Sequence, residues 1–117
     1  MSVNVIWIDR SEAKIFQLAR EKMERKHLKA GHTGHAVRPV ERKFFKEVSE
    51  HLDEACPLLI LGPGIAKHHF LNYLTEECPS LARKVVGCET VDHPTDGQIA
   101  TMALKFFKLP PIAANSA

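Results

Sequence analysis

The stretch Leu58-Leu59-Ile60-Leu61-Gly62-Pro63-Gly64-Ile65-Ala66-Lys67-His68-His69-Phe70-Leu71-Asn72-Tyr73-Leu74 constrains the fold more than any other part of this chain. Four apolar residues run without interruption and stop at Gly-Pro-Gly. An amphipathic stretch follows at once, with a lysine near its start. The pattern predicts a buried strand, a sharp turn and a helix, which is the signature of an α/β domain with parallel strands.

The flanking sequence extends this pattern. In Val3 to Ile8 both alternating sets are mostly apolar, as in a strand covered on both faces. Asp9 to Glu12 is a polar break of turn length, and Ala13 to Leu18 reads as a second strand, so the chain opens with a hairpin. Residues 19–29 are highly charged and fit either a polar third strand or an irregular arm. Ala30 to Pro39, with two glycines and little apolar content, reads as a mobile loop. Val40 to Ala55 reads as a helix whose inner face is Val40, Phe44, Phe45, Val48, Leu52 and Ala55, stopped by Pro57. Ile65 to Glu77 forms the next helix, with Ile65, Ala66, Phe70, Tyr73 and Leu74 toward the sheet. Pro79 opens a further turn, and Val85 to Val91 is a strand. Thr95-Asp96-Gly97-Gln98 has capping-box spacing, so a last helix runs to about Phe107 with Ile99, Met102, Ala103 and Phe106 inward.

The expected order is β-β-(β)-α-β-α-β-α. It describes one three-layer α/β domain with an opening hairpin and a mixed sheet over residues 1–109. The small-residue tail 110–117 is expected to be disordered. A chain of 117 residues buries an ordinary core without disulfides or metal. Cys56, Cys78 and Cys88 are odd in number and form no C-x-x-C pair, which argues against a zinc site or disulfide framework. Val3 to Ile8 is too short for a signal peptide and no run approaches a membrane span, so a cytoplasmic location is expected.

The net charge is only +2, but its distribution is uneven. Arg20, Lys22, Arg25, Lys26, Lys29, Arg38, Arg42, Lys43 and Lys46 lie in one stretch, nine of the sixteen basic residues against Glu21, Glu24 and Glu41. A local field of this kind attracts phosphates even on a nearly neutral protein.

The element order and three stretches resemble the central domain of the eukaryotic and archaeal class I peptide-chain release factors and their relative Pelota, a ribonuclease-H-like fold of the translation machinery. Val5-Ile6-Trp7-Ile8-Asp9 followed by Ala13-Lys14-Ile15-Phe16 is similar to the family's opening hairpin. Leu61-Gly62-Pro63-Gly64 with Lys67 and Phe70 resembles its strand–turn–helix. Thr95-Asp96-Gly97-Gln98-Ile99 resembles the start of its last helix. Release factors carry a Gly-Gly-Gln tripeptide in the loop before the first long helix. Here that place is taken by Ala30-Gly31-His32-Thr33-Gly34-His35-Ala36, and no Gly-Gly-Gln occurs in the sequence. Pelota also lacks the tripeptide and acts in ribosome rescue. The resemblance therefore implies a translation-associated role without peptide release.

The sequence offers four candidate sites. Arg25, Lys26, Lys29, Arg38, Arg42 and Lys43 are candidate RNA-backbone contacts, with Gly31, His32, Gly34 and His35 as a flexible loop that orders on a partner. A solvated charged arm is the plainer alternative. His27, His32 and His35 include an H-x-x-H pair, but a loop is a poor cage for a metal. Gly62, Gly64 and Lys67 form a possible anion-binding turn, although the P-loop pattern is absent and Pro63 removes a donor; a simple strand-to-helix turn is the alternative. Asp9 stands where ribonuclease-H-like nucleases place a metal-binding carboxylate, with Asp96 and Glu54 as weak companions; it also suits a turn. His68 and His69 read as surface residues. Cys56 and Cys88 read as buried small side chains.

These observations favour a non-enzymatic protein that binds ribosomal or transfer RNA through the basic arm and the Gly/His loop, with no cofactor and no membrane. The alternatives are a metal-dependent nuclease or peptidyl-tRNA hydrolase on the same scaffold, and a homodimer joined through an open sheet edge.

Overall fold

The apolar run becomes strand β4, Leu58–Gly62, and all five of its residues are buried. The computed structural model describes residues 2–19, 22–30 and 38–108, and of residues 38–40 the backbone alone. The other strands are β1 (Val3–Ile8), β2 (Glu12–Ala19), β3 (Lys22–Lys29) and β5 (Val85–Thr90). The helices are α1 (Arg38–Ser49), α2 (Ala66–Glu77), α3 (Pro79–Ala82) and α4 (Asp96–Phe106). The strands make one mixed sheet in the order β3-β2-β1-β4-β5. β2 is antiparallel to β1 and β3, whereas β1, β4 and β5 run parallel.

The sheet is covered on both faces, which makes three layers. Ile6, Ile8, Ile15, Leu58 and Ile60 pack with Phe44, Phe45, Val48, Phe70 and Leu74 of α1 and α2. Val3, Val5, Trp7, Phe16, Leu59 and Leu61 pack with Ile99 and Ala103 of α4. Successive strand residues point to opposite faces, so central strands buried on both sides need apolar residues at every position. Burial of each large side chain such as Trp7, Phe16 or Phe70 contributes on the order of 2 kcal/mol.

Within the charged stretch 19–29, Lys22–Lys29 form a strand: β3 pairs with β2 from Glu12↔Lys29 to Ala19↔Lys22. Helix α1 begins at Arg38 and ends at Ser49, short of the expected Ala55. Asp53 is the reason. Its carboxylate accepts from Ala55 N at 2.8 Å, and its carbonyl accepts from Cys56 N at 3.2 Å and from Asn4 Nδ2 at 3.0 Å. This Asx turn competes with further helix and leaves Ala55 exposed, while Leu52 stays buried.

Two expected inward residues also differ. Ile65 is the N-cap of α2 and is 63% exposed, because it precedes Ala66 by a 100° step off the stripe formed by Ala66, Phe70, Tyr73 and Leu74. Phe106 is 37% exposed, its ring lying over Gly87 at the margin of the sheet, and Ala100 is buried in its stead. The capping box forms as expected: Gln98 N donates to Thr95 Oγ1 at 3.1 Å, and Thr95 N donates to Gln98 Oε1 at 2.8 Å. Residues 110–117 lie outside the described residues.

Among the described residues no helix is long and apolar enough to cross a membrane. The open sheet edges are β3 and β5. Pairing β3 with β3 of a second copy would set its lysines beside one another, which disfavours a dimer through that edge.

Candidate nucleic-acid interface

β3 contributes almost nothing to the core: only Leu28 is half-buried against it, and the other seven residues are exposed. Its sequence, Lys-Met-Glu-Arg-Lys-His-Leu-Lys, lacks an apolar alternation and is held by its ladder to β2. The register sorts its side chains between the two faces. Arg25 opposes Phe16 and His27 opposes Lys14, so Met23, Arg25, His27 and Lys29 share the α4 side. Lys22, Glu24, Lys26 and Leu28 share the α1 side, where Leu28 reaches the α1 cluster.

The six candidate RNA contacts therefore do not form one patch. Arg25 is ion-paired with Asp96 at the first turn of α4, and Lys14 of β2 approaches the same carboxylate at 3.6 Å. Lys26 lies on the other side of the strand, its Nζ 3.4 Å from His51 Nδ1. Arg42 lies over the ring of Tyr73 at 5.2 Å and pairs with Glu77 at 2.8 Å and Glu76 at 3.4 Å, so it ties α1 to α2. Lys29 and Lys43 are exposed, and among the described residues no carboxylate lies within ion-pair distance of either. The side chain of Arg38 lies outside the described residues, as do Gly31, His32, Gly34 and His35. The entry to that loop is fixed: Ala30 N donates to Ser11 O at 2.8 Å, which holds the end of β3 against the β1–β2 turn. His27 contacts Glu12 of β2, so the neighbour it uses is a carboxylate on its own sheet.

The residues Gly62, Gly64 and Lys67 do come together, in a configuration that explains the turn. A Cβ on Gly62 would sit 2.3 Å from the carbonyl oxygen of Ile8, so glycine is required where β4 passes β1. Lys67 is 3% exposed and its ammonium donates to Gly64 O, directing its charge into its own turn. The N-terminus of α2 carries no side-chain cap. His68 and His69 are exposed, as expected; His69 Nδ1 is 3.1 Å from Glu41 Oε2 and links α2 to α1.

Asp9 is a turn residue. Its Oδ1 accepts from Ser11 N at 2.8 Å, Glu12 N at 2.9 Å and Ser11 Oγ at 3.2 Å, and its Oδ2 lies 3.9 Å from His93 Nε2. Asp96, its suggested companion, is engaged by Arg25 and Lys14, and Glu54 is exposed. Among the described residues no three His, Cys, Asp or Glu side chains converge as a metal site. Cys56 is buried and Cys88 half-buried, and burial pushes both thiols up from their ordinary value. For Cys56 the carboxylate of Asp53 adds to the effect; for Cys88 the charge of Lys67 opposes it. Burial likewise raises the Tyr73 phenol. The part of this surface that the sequence conceals is Asp96 with Lys14. The pairing of Asp96 with Arg25 spans 71 positions, and the β2–β3 register brings Lys14 to the same carboxylate.

No family model matches the chain. A stretch of 56 residues is 39% identical to the protein pelota homolog of Pyrococcus furiosus, covering 43% of this chain and 16% of that protein. Among solved structures the chain is similar to the archaeal translation termination factor aRF1, with a TM-score of 0.69 at 21% identity over 92% of this chain and 35% of that one. It is similar to Thermoplasma acidophilum Pelota, with a TM-score of 0.67 at 18% identity over 98% and 34%. It is also similar to Saccharomyces cerevisiae Dom34, described as a translation termination-like factor involved in RNA quality control pathways and interacting with Hbs1, with a TM-score of 0.60 at 12% identity over 97% and 33%. The chain thus spans about a third of the length of these solved structures, and the fold they share with it is the one the sequence resemblance implies.

Proposed function

We propose that this Pelota- and release-factor-like domain works in translation, binding ribosomal or transfer RNA as a non-catalytic module in the cytoplasm. The observation that carries the reading is β3. An eight-residue strand that buries one side chain by half is poorly accounted for by packing, yet it stays fully paired and presents Lys22, Arg25, Lys26 and Lys29 to solvent. Cations on an extended strand neutralise phosphates without reading bases, which suits a structured RNA. The 56-residue likeness to an archaeal pelota homolog and the shared fold support the translational setting.

The reading needs no reaction. The sequence has no Gly-Gly-Gln, and Asp9, the residue a nuclease would use, is occupied in its turn by two main-chain N–H groups and a hydroxyl.

The test is co-sedimentation of the purified protein with ribosomes and subunits at low and high salt. Saturable binding that weakens steeply with salt is expected. A variant with Lys22, Arg25, Lys26 and Lys29 changed to Ala should bind less and with a flatter salt dependence. Absence of binding at low salt would refute the reading.

A further inference from the structure

We propose that RNA contacts the α4 side of β3 and that Asp96 competes with its phosphates for Arg25 and Lys14. This rests on the RNA-binding reading and assigns it a face. The Asp96 carboxylate meets the Arg25 guanidinium and the Lys14 ammonium together, drawing two cations from neighbouring strands onto one anion. A phosphodiester offers the same anionic pair of oxygens, and a guanidinium fork donates to either. Asp96 is thus an intramolecular stand-in for a phosphate.

Three features favour this face. Arg25, His27 and Lys29 occupy alternate positions along this side of β3, which sets Arg25 and Lys29 on one line about 13 Å apart. Lys29 has no carboxylate within ion-pair distance among the described residues, so the path has an open end at the last residue of β3. Lys14 also reaches over the Trp7 ring, at 5.7 Å from its centre, and is held where it meets Asp96. On the α1 side Lys22 pairs with Glu24 and Lys26 lies beside His51, and among the described residues no carboxylate there gathers two lysine or arginine side chains.

The helix does not depend on Asp96 for its cap. Thr95 and Gln98 complete the capping box between themselves. The Asp96 side chain is a third exposed and that of Arg25 half exposed, so an incoming phosphate can displace the carboxylate without opening the core.

The test measures binding of a short oligouridine by Asp96→Asn and by the same change in a Lys14→Ala/Arg25→Ala background, beside ribosome co-sedimentation of each. Asp96→Asn is expected to bind about threefold to tenfold more tightly at low salt, the size expected from releasing exposed cations. The gain should vanish in the double-alanine background. Because the readout is tighter binding lost on removing two cations, it separates competition from partial unfolding. Unchanged or weaker binding by Asp96→Asn, or a gain that survives without Lys14 and Arg25, overturns the proposal even where the wild type co-sediments with ribosomes. A gain with oligouridine but no co-sedimentation upholds the assigned face and refutes the ribosomal reading. No binding of oligouridine by either protein overturns the proposal.

Discussion

Trp7 Nε1 donates to the carbonyl oxygen of Asp92 at 2.9 Å, joining the end of the first strand to the loop before the last helix. The indole is 2% exposed, and its ring lies 5.1 Å from that of His93 in the same loop. One side chain therefore fills the α4-side core and anchors the segment that delivers Asp96. Trp7→Phe keeps an aromatic ring but removes the donor and part of the volume. It should lower unfolding free energy by about 1–3 kcal/mol, read by urea denaturation, with the fold retained.

The two glycines of the strand-to-helix turn should behave differently. Gly62→Ala drives a methyl group into the Ile8 carbonyl, a main-chain atom that cannot move aside alone, and should cost more than about 2 kcal/mol. A Cβ at Gly64 meets nothing within 4 Å, so Gly64→Ala should be close to neutral. Thermal melts of the two variants check this.

Arg42 and Lys43 are adjacent in sequence but differ in role. Arg42→Ala removes contacts to Tyr73, Glu76 and Glu77 and should destabilise by about 0.5–1.5 kcal/mol while changing RNA affinity little. Lys43→Ala, on the helix that covers the opposite side of the sheet from Arg25, should leave both the melting temperature and the salt slope of RNA binding unchanged. Calorimetry and a salt titration on the same two proteins decide the assignment.

Alkaline pH should weaken the fold. Burial raises Cys56 and Cys88 above 9.0 and Tyr73 above 10.0 in the folded protein. As pH rises through those ordinary values the unfolded chain loses these protons first, so stability falls, and the loss continues until the folded groups ionise. Denaturation midpoints should be insensitive to these groups below about pH 8 and decline above it. A flat profile through pH 10 would contradict the burial of these groups.

Much of the scaffold was legible because it obeys short-range rules. The uninterrupted Leu58–Leu61 run, the Thr95/Gln98 spacing and the Phe44/Phe45/Val48 face each depend on residues within a few positions of one another. Where the expectation failed, a distant or competing contact decided. Asp53 ended α1 early with an Asx turn that Asn4 holds from the sheet. The basic stretch looked like one patch in sequence, but period-two alternation sent Arg25 and Lys26 to opposite faces. Lys67 looked available to an anion until the turn folded its ammonium back onto Gly64 O. Charges can be counted along a chain, but the groups that neutralise them are set by register and packing.

The order β3-β2-β1-β4-β5 has a consequence for how the chain assembles. The first three strands pair antiparallel in chain order and can form as soon as they are available. β1, buried at every position, then presents its second edge with no partner until β4 arrives, since Asn4 pairs with Leu58 across the whole intervening α1 segment. During synthesis the nascent meander therefore exposes a flat apolar edge at its centre strand while its outer strand is already guarded by charge. The vulnerable interval for misassociation lies between the emergence of β3 and that of β4, and the rate of synthesis across the segment between them sets its length.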